Sequence, residues 1–153
     1  MRGYSSIEGL SAPSVVFVDS EEVDPSDLVI VKQLRQRGFL IAYIDCADYL
    51  EKPWDLLNQI GLQFDLTNRP YDGTKRIGLI RWLDDMIGLS RDCPGAVIVL
   101  DNAYTLWDAH RKILTDLIEV FLLQIDNWSE KNKPCQLCLQ MSPSTLVKTM
   151  FAI

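Results

Sequence analysis

The sequence predicts an α/β protein: a small parallel β-sheet of three to four strands with helices packed on it. Three observations carry this. Residues 39–44 (F-L-I-A-Y-I) and 96–100 (A-V-I-V-L) are continuous apolar runs of strand length, the pattern of strands covered on both faces. Segments with apolar residues at helical spacing separate them. Strands that alternate with helices are joined by crossovers, which make neighbouring strands parallel.

The elements follow in order. Residues 1–13 read as a loose tail. Residues 15–18, bounded by Pro13 and Asp19, suit a strand. Residues 19–27 hold five acids and no base, an exposed loop by composition. Pro25-Ser26 can open a helix that runs to Arg37, with Leu28, Val31 and Leu34 or Arg35 on one face and Gly38 as its stop. After the 39–44 strand and a turn at 45–48, Pro53 starts a short helix with Trp54, Leu57 and Ile60 inward and Gly61 as the stop. Residues 88–95 form a loop. The 96–100 strand ends in Asp101-Asn102, and one long helix is expected from Trp107 to Lys131. Leu114, Leu117, Ile118, Phe121, Ile125 and Trp128 make its apolar stripe, with Asp116, Glu119, Asp126 and Glu130 off it. Residues 135–140 form the last strand, and the tail after Pro143 is a docked loop or short edge element.

The 153 residues fit one domain, 1–153, with no internal repeat. Net charge of −6 argues against a general nucleic-acid binder, which needs a basic face. No apolar run reaches membrane-spanning length and the first residues lack a signal-peptide core, so no membrane partner is expected. Four cysteines in such a chain fit a reducing, cytoplasmic setting.

One stretch reverses the charge. Residues 70–85 (P-Y-D-G-T-K-R-I-G-L-I-R-W-L-D-D) read as a turn at Asp72-Gly73 followed by a helix capped by Thr74. Arg69, Lys75, Arg76 and Arg81 stand there against the single acid Asp72 before residue 82. Tyr71 at the turn and Trp82 on the helix add residue types that concentrate at binding hot spots. The stretch is expected to be a recognition surface; the plainer alternative is a solvated charged helix face.

Catalytic motifs are incomplete. P-C-x-x-C at 134–138 is half of a zinc-deaminase signature, with His110 upstream, but Lys112 stands where the acid/base glutamate belongs. A strand also sends Cys135 and Cys138 to opposite faces. The strand-plus-acid at 97–101 lacks the phosphate-binding loop of nucleotide hydrolases. His110, the sole histidine, sits beside Arg111 and Lys112 as a surface residue. Asp84 and Asp85 point about 100° apart on a helix. No catalysis, cofactor or metal is expected.

The order of these elements resembles the barstar family of ribonuclease inhibitors. Tyr71, Gly73, Leu79, Leu83 and Asp85 match the family's inhibitory segment, and the run from residue 96 to 140 is similar to its closing β-α-β unit. Residues 14–37 then correspond to the additional N-terminal strand and helix of longer members. The resemblance implies an immunity or inhibitor protein that occludes a cognate toxin, a nuclease, with the 70–85 turn and helix. Its contact residues would be Tyr71, Asp72, Thr74, Lys75, Gly78, Arg81, Trp82 and Asp85, with Asp126 and Glu130 adding contacts from the long helix. The family's asparagine falls on Lys75, and its acids fall on Ile77 and Arg81. That reversal implies a partner lined with carboxylates rather than a basic ribonuclease. A regulatory or structural domain of the same fold is the alternative, and a zinc-deaminase-like enzyme a distant third.

Overall fold

The computed structural model describes residues 13–19, 25–53, 55–63, 95–131 and 134–141. The expectations for the N-terminal tail, for residues 20–24 of the acidic loop, for Trp54, for the 70–85 turn and helix, for the 88–94 loop and for the tail after Pro143 lie outside the described residues. The described elements are β1 (Ser14–Asp19), α1 (Pro25–Gln36), β2 (Leu40–Asp45), a 3₁₀ turn (Cys46–Tyr49), α2 (Asp55–Gln63), β3 (Ala96–Asp101), α3 (Ala103–Ala109), α4 (Arg111–Glu130) and β4 (Cys135–Met141). The four strands form one all-parallel sheet in the order β1-β4-β3-β2. This is the expected α/β architecture.

Strand periodicity divides the apolar side chains between two layers. Ala42 and Ile44 of β2, Ile98 and Leu100 of β3, and Leu137 and Leu139 of β4 pack with α2, α3 and α4. The alternate residues Ile41, Val97, Val99 and Cys138 pack under Val31 and Leu34 of α1. The β1-to-β2 connection runs across the sheet in the direction opposite to β2-to-β3 and β3-to-β4. Right-handed crossovers therefore place α1 alone on its face. β3 lies centrally with Ala96 to Leu100 buried, which explains its unbroken apolar run. β2 is an edge strand, and its Tyr43 is only half-buried.

Helix ends follow local chemistry. Pro25 occupies the first position of α1, where its missing N–H loses no bond. Gly38 adopts φ 95°, the Phe39 amide donates to the Leu34 carbonyl and the Gly38 amide to that of Arg35, each at 3.1 Å. This paired return of the chain stops α1 where glycine was expected to stop it.

Three expectations need correction. Gly61 does not end α2; the helix continues to Gln63, with Gly61 buried on its inner side. A residue without a side chain lets the helix approach its neighbours closely, so here glycine serves packing rather than termination. The single helix expected from Trp107 to Lys131 is two helices. The chain breaks at His110, with φ −141° and ψ 62°, and the Nε2–H of His110 donates to the Leu50 carbonyl at 2.6 Å. His110 is thus half-buried at a helix junction rather than a plain surface residue. Past the break the stripe holds: Leu114, Leu117, Ile118, Phe121 and Trp128 are buried, while Ile125 is only half-buried. Phe121 and Trp128 meet edge to face with centroids 4.9 Å apart, a contact open to residues two helical turns apart.

Candidate functional site

The sheet brings three aspartates to one end. β1, β2 and β3 finish in Asp19, Asp45 and Asp101, and all strands are parallel, so these residues lie along the carboxyl edge where α/β proteins hold ligands. Asp45 and Asp101 are partners in register. The protein supplies donors to both. Asp45 Oδ1 accepts the Ala47 amide at 3.0 Å, capping the 3₁₀ turn, and Asn102 Nδ2 at 2.9 Å. Asp101 Oδ2 accepts the Tyr43 hydroxyl at 2.6 Å. Asn102 sits in the left-handed region at φ 53°, a conformation asparagine tolerates better than most residues. Its amide donates to Gln140 Oε1 at 2.7 Å, and its carbonyl accepts the Thr105 hydroxyl at 2.7 Å. One residue therefore ties β2, β3 and β4 together. Cys46, next to Asp45, is buried, and burial followed by the charges of Asp45 and Asp101 pushes its thiol far above the usual range. It stays protonated and is a poor nucleophile. The carboxyl edge is a locked turn network.

The cysteines of the P-C-x-x-C run part as strand geometry requires. Cys135 packs in the layer of α2 to α4, and Cys138 in the layer of α1. Burial pushes the Cys135 thiol up to about 12. Among the described residues no group of three or more His, Cys, Asp or Glu is placed to hold a metal.

Of the expected contact residues, Asp126 and Glu130 are described. Both are exposed on the outer face of α4. Beside them Leu122 and Leu123 are exposed at 43% and 62%. The helix thus presents two adjacent leucines followed by two acids. Nearer its start, Lys112 Nζ pairs with Asp116 Oδ2 at 2.6 Å. Tyr71, Asp72, Thr74, Lys75, Gly78, Arg81, Trp82 and Asp85 lie outside the described residues.

A second surface was not expected. Along the outer edge of β2, Gln63 accepts the Tyr43 amide at 2.7 Å and donates Nε2 to the Tyr43 carbonyl at 2.9 Å. Arg35 donates Nε and Nη2 to the Ile41 carbonyl at 3.3 and 3.1 Å, and Nη2 to Gln63 Oε1 at 3.1 Å. One side chain from each helical layer thus closes the edge strand. A groove of about 610 Å³ runs here, lined among the described residues by Val31, Lys32, Arg35, Tyr43 and Gln63. The signal available in the sequence was the helical phase of Leu62-Gln63 beyond Gly61, which a stop at glycine conceals.

No protein-family model, curated protein or solved structure matches the chain. No described helix is long and apolar enough to cross a membrane.

Proposed function

We propose that the chain is a non-catalytic binding protein of the barstar type that neutralises a cognate toxin, a nuclease, in the cytoplasm. The observation that carries this reading is the outer face of α4. Leu122 and Leu123 stand exposed there beside Asp126 and Glu130. Adjacent exposed leucines make a small apolar patch, and an apolar patch rimmed by charges is a form that partner-binding surfaces take. The 70–85 stretch supplies the main contact in this reading, with Tyr71, Asp72, Thr74, Lys75, Gly78, Arg81, Trp82 and Asp85 meeting the toxin, and α4 adds the rim. The small parallel sheet, with its closing unit from β3 through α4 to β4, supports this reading as to fold class alone. At the carboxyl edge Asp45 caps a turn and accepts from Asn102, while Asp101 accepts the Tyr43 hydroxyl, engagements that suit a scaffold.

The test is neutralisation. A toxin encoded beside this chain is expressed in cells with and without it, and survival is scored. Rescue by the parent chain, reduced when Asp126 and Glu130 are both replaced by lysine, is the expected result. No rescue of such a toxin would favour a regulatory or structural domain, and stoichiometric zinc in the purified protein would favour an enzyme.

A further inference from the structure

We propose that the outer edge of β2 is a docking site for an extended acidic peptide of a partner protein, which replaces Gln63 and adds a fifth strand to the sheet. Its described residues are distinct from those of the outer face of α4.

The edge already has the form of a strand-binding surface. The Ile41 carbonyl and both backbone groups of Tyr43 point away from β3, two residues apart along the strand, as the period of a pleated edge requires. Among the described residues their partners are the side chains of Arg35 and Gln63. Gln63 is the last residue of α2, and it is exposed. Its amide imitates a peptide group and is the type of partner an incoming main chain reproduces bond for bond. A swap of this kind conserves hydrogen bonds, so the cost of opening the edge is small.

Charge selects the occupant. Among the described lining residues two are cations, Lys32 and Arg35, and none is an acid. The chain as a whole carries −6. Lys32 and Arg35 are three apart on α1 and so project on one side of it. The bonds of Arg35 to Ile41 and Gln63 use Nε and Nη2 and not Nη1. The volume lies in the range, roughly 300–1,000 Å³, of clefts that hold small ligands, and suits a short length of extended chain. Val31 and the Tyr43 ring supply apolar surface for alternate side chains of that strand.

The probe is a fluorescent eight-residue peptide of alternating valine and glutamate, titrated into the full chain by anisotropy and followed by amide shifts. Binding is expected, with the largest shifts at Ile41, Tyr43 and the Gln63 side-chain amide. Lys32→Glu, an exposed change, is expected to weaken it about two- to fivefold, the scale of one surface ion pair. Gln63→Leu, which removes the competing amide, is expected to tighten it. Absence of binding, equal binding of a valine-lysine peptide, or equal binding after N-methylation of the peptide backbone would overturn the proposal. Concentration-dependent self-association of the Gln63→Leu variant without peptide binding would assign the edge to a second copy and overturn it too. None of these outcomes bears on toxin neutralisation.

Discussion

Gln63, at the end of α2, closes both outward backbone groups of Tyr43 in the edge strand with one side-chain amide. An open edge invites pairing with other chains, and this bond pair engages the edge at Tyr43. Replacing Gln63 with leucine is expected to cost about 1 kcal/mol, because water takes over both groups. The Tyr43 amide should exchange its hydrogen faster while the Val99 amide, in the buried central strand, does not change. Native-state hydrogen exchange separates the two.

Asn102 carries the turn after β3 in the left-handed region and links Asp45 to Gln140. Asn102→Ala should cost about 2–3 kcal/mol, from left-handed strain together with one lost side-chain hydrogen bond. Asn102→Gly relieves the strain and should cost about 1 kcal/mol. Urea denaturation of both variants checks the order; alanine milder than glycine would contradict the backbone account.

Gln136 is 4% exposed, and among the described residues its Oε1 has no partner while its Nε2 donates to Ser14 Oγ at 3.1 Å. A buried acceptor left without a bond weighs against the one bond the residue makes. Gln136→Met, of similar shape, is expected to be neutral or to stabilise by about 1 kcal/mol. A loss of several kcal/mol in denaturant unfolding would show that the amide is needed.

Cys135 gives a pH dependence. Its ordinary value is 9.0, and burial raises it to about 12 in the folded protein. Above pH 9 the unfolded chain gives up this proton while the native chain keeps it. The native state then binds more protons, so stability must fall as pH rises. The contribution is whole below pH 9 and is lost between there and about pH 12. Each such thiol contributes a slope of at most about 1.4 kcal/mol per pH unit. Unfolding followed across this window should be shallower for Cys135→Ala than for the parent.

The sheet was legible because its signals are local. The apolar runs at 39–44 and 96–100 mark buried strands, and the stripe from Leu114 to Trp128 marks the inner face of α4. The break at His110 was not legible. No glycine or proline marks it, and Trp107 and Leu114 stand seven residues apart, so the apolar phase passes through unchanged. What holds the junction is the Leu50 carbonyl, sixty residues away in sequence. The closure of β2 was hidden for the same reason. It depends on Arg35 and Gln63 meeting across 28 residues, a relation no periodicity encodes. The carboxyl-edge aspartates are visible as letters, but their pairing with Tyr43 and Asn102 arises only from the strand register.

The central claim is a tight complex with a toxin through the 70–85 stretch, and calorimetric titration of the purified partner against the parent and Arg81→Asp chains tests it most directly. The account predicts one-to-one binding by the parent, weakened by roughly 2–5 kcal/mol in the variant, as for a buried ion pair. Equal affinity for the two chains would contradict it.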